Sequence, residues 1–133
     1  MLETRSALGF LMLCLFNCAT AADSNEFISP NFQSSLNTGR FAGVSAWDLG
    51  LSQLIAFQST WDEYKIELWQ QNLDVGNATS SPTLVYEQDA GDYLPQSFYW
   101  TVQTYEIQLP NSPVFFFWLR DKNSHSQQSS AFF

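Results

Sequence analysis

Residues Tyr64-Lys65-Ile66-Glu67-Leu68-Trp69-Gln70-Gln71 alternate apolar and polar side chains, which is the period of a β-strand with one face on a core. Tyr64, Ile66 and Leu68 share one face; Lys65, Glu67 and Trp69 share the other. The first set belongs to the core and the second to the water-facing side. A large aromatic ring beside two charges is then either covered by a neighbouring segment or presented to a partner. Most of the functional question turns on that choice.

Toward the N-terminus, Leu51 to Gln58 places Leu51, Ile55 and Phe57 on alternate positions and predicts a second strand, joined to the first by the polar connection Ser59 to Glu63. Asn31 to Ala46 has no sustained period and reads as a loop. Glu26-Phe27-Ile28-Ser29-Pro30 reads as an edge strand stopped by proline, which cannot donate to a ladder. Toward the C-terminus, Asn72 to Pro82 collects Asp, Gly, Asn, Thr, Ser and Pro and reads as a loop. Thr83 to Gln88 reads as a strand. Ser97 to Gln103 predicts another, with Phe98, Trp100 and Val102 inward and Tyr99, Thr101 and Gln103 outward. Val114 to Arg120 is apolar and of strand length: Phe115, Phe117 and Leu119 form one set, Phe116, Trp118 and Arg120 the other. Asp121 to Ser130 is polar and reads as a loop, and Ala131-Phe132-Phe133 as a final strand. About seven short strands without a helical period predict an all-β, immunoglobulin-like or fibronectin-III-like β-sandwich. The cysteine pair that marks antibody domains is missing.

Met1 to Ala21 has Arg5, an apolar run from Ala7 to Phe16, and the small-x-small site Ala19-Thr20-Ala21, the pattern of a secretory signal peptide. The apolar run is short for a bilayer span. The expected organisation is therefore a signal peptide at 1–21 and one β-sandwich domain at 22–133, secreted and without a membrane span after cleavage. Cys14 and Cys18, the two cysteines of the chain, fall in the signal segment, so the domain is expected to hold together without disulfides. All five tryptophans follow the signal and supply large apolar surfaces to bury.

Glu3 and Arg5 also leave with the signal. What remains is Arg40, Lys65, Arg120 and Lys122 against twelve of the 13 carboxylates, so the net charge stays at -8. No basic stripe is present to displace counterions from phosphates, which excludes nucleic acid as the expected partner. His125 is the only histidine and stands in Ser124-His125-Ser126, without the Gly-x-Ser-x-Gly turn of a nucleophilic hydrolase. With no cysteine after cleavage, zinc is not expected. Asp89 and Asp92 read as a solvated acidic turn in preference to a calcium loop. No cofactor or metal is predicted. Asn77-Ala78-Thr79 is an acceptor sequon for N-linked glycan in a predicted loop, so Asn77 is the expected glycosylation site.

Three segments carry a family likeness: Leu68-Trp69-Gln70-Gln71, Ser97-Phe98-Tyr99-Trp100-Thr101-Val102-Gln103-Thr104-Tyr105 and Val114-Phe115-Phe116-Phe117-Trp118-Leu119. They resemble fungal secreted proteins related to the N-terminal domain of the yeast cell-wall β-1,6-glucan synthesis proteins, and the resemblance runs from about Phe27 to Phe133. Many of those relatives are Ser/Thr-rich, GPI-anchored surface proteins. The resemblance implies an immunoglobulin-like β-sandwich, an extracellular or cell-wall location and no established catalytic residues. Phe57 stands where the family usually has Trp, and Asn31-Phe32-Gln33-Ser34 where it is usually rich in Pro and Gly. A GPI-type tail is not seen by Phe133, so no anchor is predicted.

The function expected from these residues is a non-enzymatic wall module, structural or in contact with polysaccharide such as β-glucan or chitin. In an immunoglobulin-like topology the third and sixth strands are sheet neighbours, which puts Trp69 and Trp118 on one outward face. Phe116 and Tyr86 are expected to extend it, with Gln70, Gln71 and Lys65 reaching sugar hydroxyls. Flat rings suit the apolar faces of sugars, and an exposed aromatic patch marks a contact site. The alternatives are a secreted effector-like or adhesive module that binds an extracellular protein, and a glycan hydrolase using a carboxylate pair, for which Glu67 or Asp62-Glu63 are the first residues to consider.

Overall fold

The computed structural model describes residues 25–32, 39–91 and 96–133. The expected signal segment at 1–21, residues 33–38 of the first loop and Asp92 lie outside the described residues. Seven strands are formed among those described: β1 (Glu26–Ser29), β2 (Ser52–Gln58), β3 (Tyr64–Gln71), β4 (Ala78–Gln88), β5 (Ser97–Thr101), β6 (Phe115–Asp121) and β7 (Gln127–Ser129). They make a three-stranded sheet in the order β1-β2-β5 and a four-stranded sheet in the order β4-β3-β6-β7, with every pairing antiparallel. The chain is an all-β sandwich, and its three-plus-four division is that of the fibronectin-III-like arrangement.

β3 is central because it is paired on both sides. Its contact with β6 keeps one register from Tyr64 opposite Asp121 to Gln70 opposite Phe115. Inward-facing side chains alternate as the sequence pattern requires. Ile55, Phe57, Tyr64, Ile66, Leu68, Phe117 and Leu119 are completely buried. Rings join the sheets across this core: Phe27 of β1 and Trp100 of β5 approach Phe117 of β6 with centroids 6.0 and 5.2 Å apart. The Trp100 contact is edge-to-face, a favoured geometry for aromatic quadrupoles. Burial of so many large rings on both inner faces supplies the core that disulfides would otherwise supplement.

Four expectations are corrected. β4 begins at Ala78, five residues before the expected Thr83, because the far half of β3 recruits a polar partner: Trp69, Gln70 and Gln71 pair with Ser80, Thr79 and Ala78. Breaks in register between Ile66 and Trp69 accommodate this, and Pro82 is tolerated because β4 is an edge strand. Gln127–Ser129, read as loop, is β7; its side chains are all exposed, so no core-facing alternation announced it. Ala131 to Phe133 is not a strand in its own right, although Phe133 exchanges two backbone hydrogen bonds with Phe115, both 2.9 Å. Glu67, expected on the wet side, is buried.

Candidate functional site

The outward face of the four-stranded sheet is built by the register of β3 with β6. Trp69 lies opposite Phe116, Glu67 opposite Trp118, and Lys65 opposite Arg120. Because all six share one parity, they form a continuous ladder, aromatic at one end and charged at the other. Phe116 is the hub of the aromatic end. Its ring stacks on Trp69 at 6.3 Å and meets Trp118 and Phe132 edge-on at 5.8 and 5.6 Å. These neighbours bury Phe116, whereas Trp69 and Trp118 are half-buried and Phe132 is 41% exposed. The result is an aromatic ridge with accessible rings around a protected centre.

Glu67 organises the charged end. Its carboxylate accepts hydrogen bonds from Trp69 Nε1 at 3.3 Å and Arg120 Nη1 at 3.1 Å, and pairs with Lys65 Nζ at 3.4 Å. Arg120 also donates through Nε to Gln127 Oε1 at 2.9 Å, and its guanidinium carbon stands 5.9 Å from the Trp69 ring centroid, within range of a cation–π contact. The indole is thereby tied down twice: its N–H by Glu67 and its ring by Arg120 and Phe116. Such a held ring loses little further freedom when it meets a ligand.

Beyond Arg120 the face opens into a polar cleft of about 680 Å³, lined by Lys65, Lys122 and His125 with Glu87 and Asp121 opposing them. Lys122 is shared between Asp89 at 2.6 Å and Glu87 at 3.2 Å. The hydrogen bond from Lys122 to Asp89, the largest influence, holds its ammonium above the usual lysine range.

The residues singled out from sequence separate into three groups. Trp69, Phe116 and Trp118 come together on the ridge, and Lys65 joins them through Glu67. Gln71 shares their strand parity but is half-buried, its amide donating to the carbonyls of Asn72 and Asn77 at 3.3 and 3.2 Å. Gln70 and Tyr86 are turned away. Gln70 is buried with its amide donating to the carbonyls of Gln108 at 3.0 Å and Ser112 at 2.8 Å, so it anchors the connection before β6. Tyr86 packs inward, its ring 5.3 Å from that of Phe98 and 6.1 Å from that of Tyr64. The irregular register of β4 defeats simple parity there.

Phe132 joins the ridge without a sequence signal, since reading 131–133 as a strand does not indicate which ring faces out. Asn77 is exposed at the turn that leads into β4. Glu63 accepts a hydrogen bond from Asn123 Nδ2 at 2.9 Å, and Glu67 is held by the three donors above. Asp89 is engaged by Lys122. Among the described residues, no group of three or more His, Cys, Asp and Glu side chains is placed to hold a metal ion, and no helix is long and apolar enough to cross a membrane.

No protein-family model matches the chain, and neither a curated protein nor a solved structure matches it.

Proposed function

We propose that this protein is a secreted, non-enzymatic cell-wall module that contacts wall polysaccharide through the outward face of its four-stranded sheet. The observation that carries the reading is the ridge of Trp69, Phe116, Trp118 and Phe132 on that face. The accessible surfaces of the half-buried Trp69 and Trp118 and of Phe132, held in place by their neighbours, suit the apolar faces of hexopyranose units, and the neighbouring Lys65, Arg120 and Gln127 offer hydrogen bonds to hydroxyls. Secretion rests on the signal-type pattern of residues 1–21, and the wall location on the resemblance in three aromatic segments. Glu67 serves as an anchor for Trp69 and Arg120 in this scheme, not as a proton donor, because cationic and N–H donors converge on its carboxylate.

The test is retention of the deglycosylated domain on insoluble β-1,3-glucan, β-1,6-glucan and chitin. One of these is expected to bind it saturably with a change in tryptophan emission. Trp69→Ala and Trp118→Ala are each expected to weaken that binding about tenfold, the effect of losing a ring at the centre of a contact. Undiminished binding by both folded variants removes the ridge from the site. Failure of the unaltered domain to bind any of the three refutes the polysaccharide reading and favours an extracellular protein as the partner.

A further inference from the structure

The end of the sandwich away from the polar cleft holds a second, chemically different cavity. Strand directions place the start of β2, the end of β5 and the start of β6 together there. The segments flanking those strand ends enclose a cleft of about 490 Å³. Its wall is made by core-forming rings and aliphatic side chains, chiefly Trp47, Val102, Phe115 and Phe133, while Phe41, Leu49 and Leu109 also line it and stand 37 to 57% exposed. Trp47 is stacked on Phe133 at a centroid distance of 4.2 Å. A chamber of this size, apolar with few polar groups, has the character of a small-molecule site.

Among the lining residues whose side chains are described, Asp48 is the one that carries a charge. It is exposed. The chain carries a net charge of -8, which adds a long-range attraction for cations to this local one.

We propose that the cleft binds an amphiphile with a single alkyl chain and a cationic head group, the chain lying against Trp47, Val102 and Phe133 and the head over Asp48. Apolar burial supplies the affinity and Asp48 selects the charge. This site is independent of the aromatic ridge, which lies on the outer face of one sheet.

The experiment titrates the protein with alkyltrimethylammonium ions of about eight to twelve chain carbons, below their micelle concentrations, and follows tryptophan emission and calorimetric heat. Alkyl sulfates of the same lengths serve as comparison. Saturable binding is expected, tightening about fourfold for each added methylene and favouring the ammonium over the sulfate by roughly tenfold. Asp48→Asn should abolish the head-group preference and keep the chain-length dependence. Ser45→Trp, at a half-buried wall position, should fill the cleft and remove binding at every length. The proposal is overturned by the absence of saturable binding, by equal affinity for both head groups, or by a chain-length series that is flat. Because Asp48 is exposed, Asp48→Asn is expected to fold normally and so tests the head-group preference even where Ser45→Trp disturbs folding. Trp69→Ala should bind the ammonium series like the unaltered protein, which separates failure here from failure of the polysaccharide reading.

Discussion

Phe116→Ala and Phe117→Ala remove the same side chain from consecutive positions of β6, yet they should cost very different amounts of stability. Phe117 has no exposed surface and touches the rings of Phe27, Trp47, Trp100 and Phe133 at centroid distances of 4.8 to 6.5 Å. Those rings come from the facing three-stranded sheet, from the segment before β2 and from the residues after β7, so none can collapse into the space without disturbing the others. Loss of transfer energy and an enclosed cavity add, for about 3–5 kcal/mol. Phe116 is nearly as buried, at 5% exposure, but its cover is Trp69, Trp118 and Phe132 on an outer face. Those side chains can relax into the gap and water can enter it, leaving chiefly the transfer contribution of about 1.5–3 kcal/mol. Urea denaturation followed by far-UV circular dichroism reads the difference. With a slope near 1.5 kcal/mol/M, Phe117→Ala lowers the midpoint by roughly 2–3 M and Phe116→Ala by roughly 1–2 M. Equal costs, or a larger cost at Phe116, would refute the assignment of inner and outer faces on which the binding site rests.

Further outcomes follow from individual groups. Hydrogen bonds from Thr83 and then Ser81 hold the Glu106 carboxyl below its usual value of 4.5. Its folded pKa is thus depressed, so its contribution is present above the ordinary glutamate range and disappears as pH falls through the folded value; Glu106→Gln should flatten the acid limb of a stability–pH curve, and an unchanged limb would contradict the contact. Burial, followed by the Tyr86 phenol, pushes Tyr64 up to about 12. Its stabilising contribution is complete below the ordinary tyrosine value of 10.0 and is lost as pH rises through the folded value; absorbance titration of Tyr64→Phe should lack a late phenolate component that the unaltered protein shows. At Gly43 the backbone has φ +80° and an added Cβ would run into the Phe32 ring, whereas Gly39, at φ +63°, has open space beside it. Alanine should cost about 1–2 kcal/mol at Gly39 from left-handed backbone strain alone and somewhat more at Gly43, where the exposed Phe32 ring must also swing aside; thermal melts that rank the two in reverse would argue against the packing of that loop.

Alternation in β2, β3, β5 and β6 was sufficient to identify the all-β class and nearly the whole of the core. A period of two survives wherever one face of a strand is dry, and Ile55, Phe57, Ile66, Leu68, Phe117 and Leu119 all lie there. β7 and the first half of β4 left no such trace, because edge segments bounded by water on more than one side accept Gln, Ser and Thr. Their existence depends on unpaired hydrogen-bonding groups along β6 and β3, which are properties of neighbours distant in the chain. Parity likewise placed Trp69, Phe116 and Trp118 together once β3 and β6 were taken as neighbours. Only the tertiary structure decided that Glu67 would be buried under three donors, that Tyr86 would turn inward past a break in register, and that Gln70 would brace the connection before β6. Hydrophobic periodicity records which face of a strand meets water, so it can be read locally; the partners of a polar group are set by where other segments return, and that information is not local to any strand.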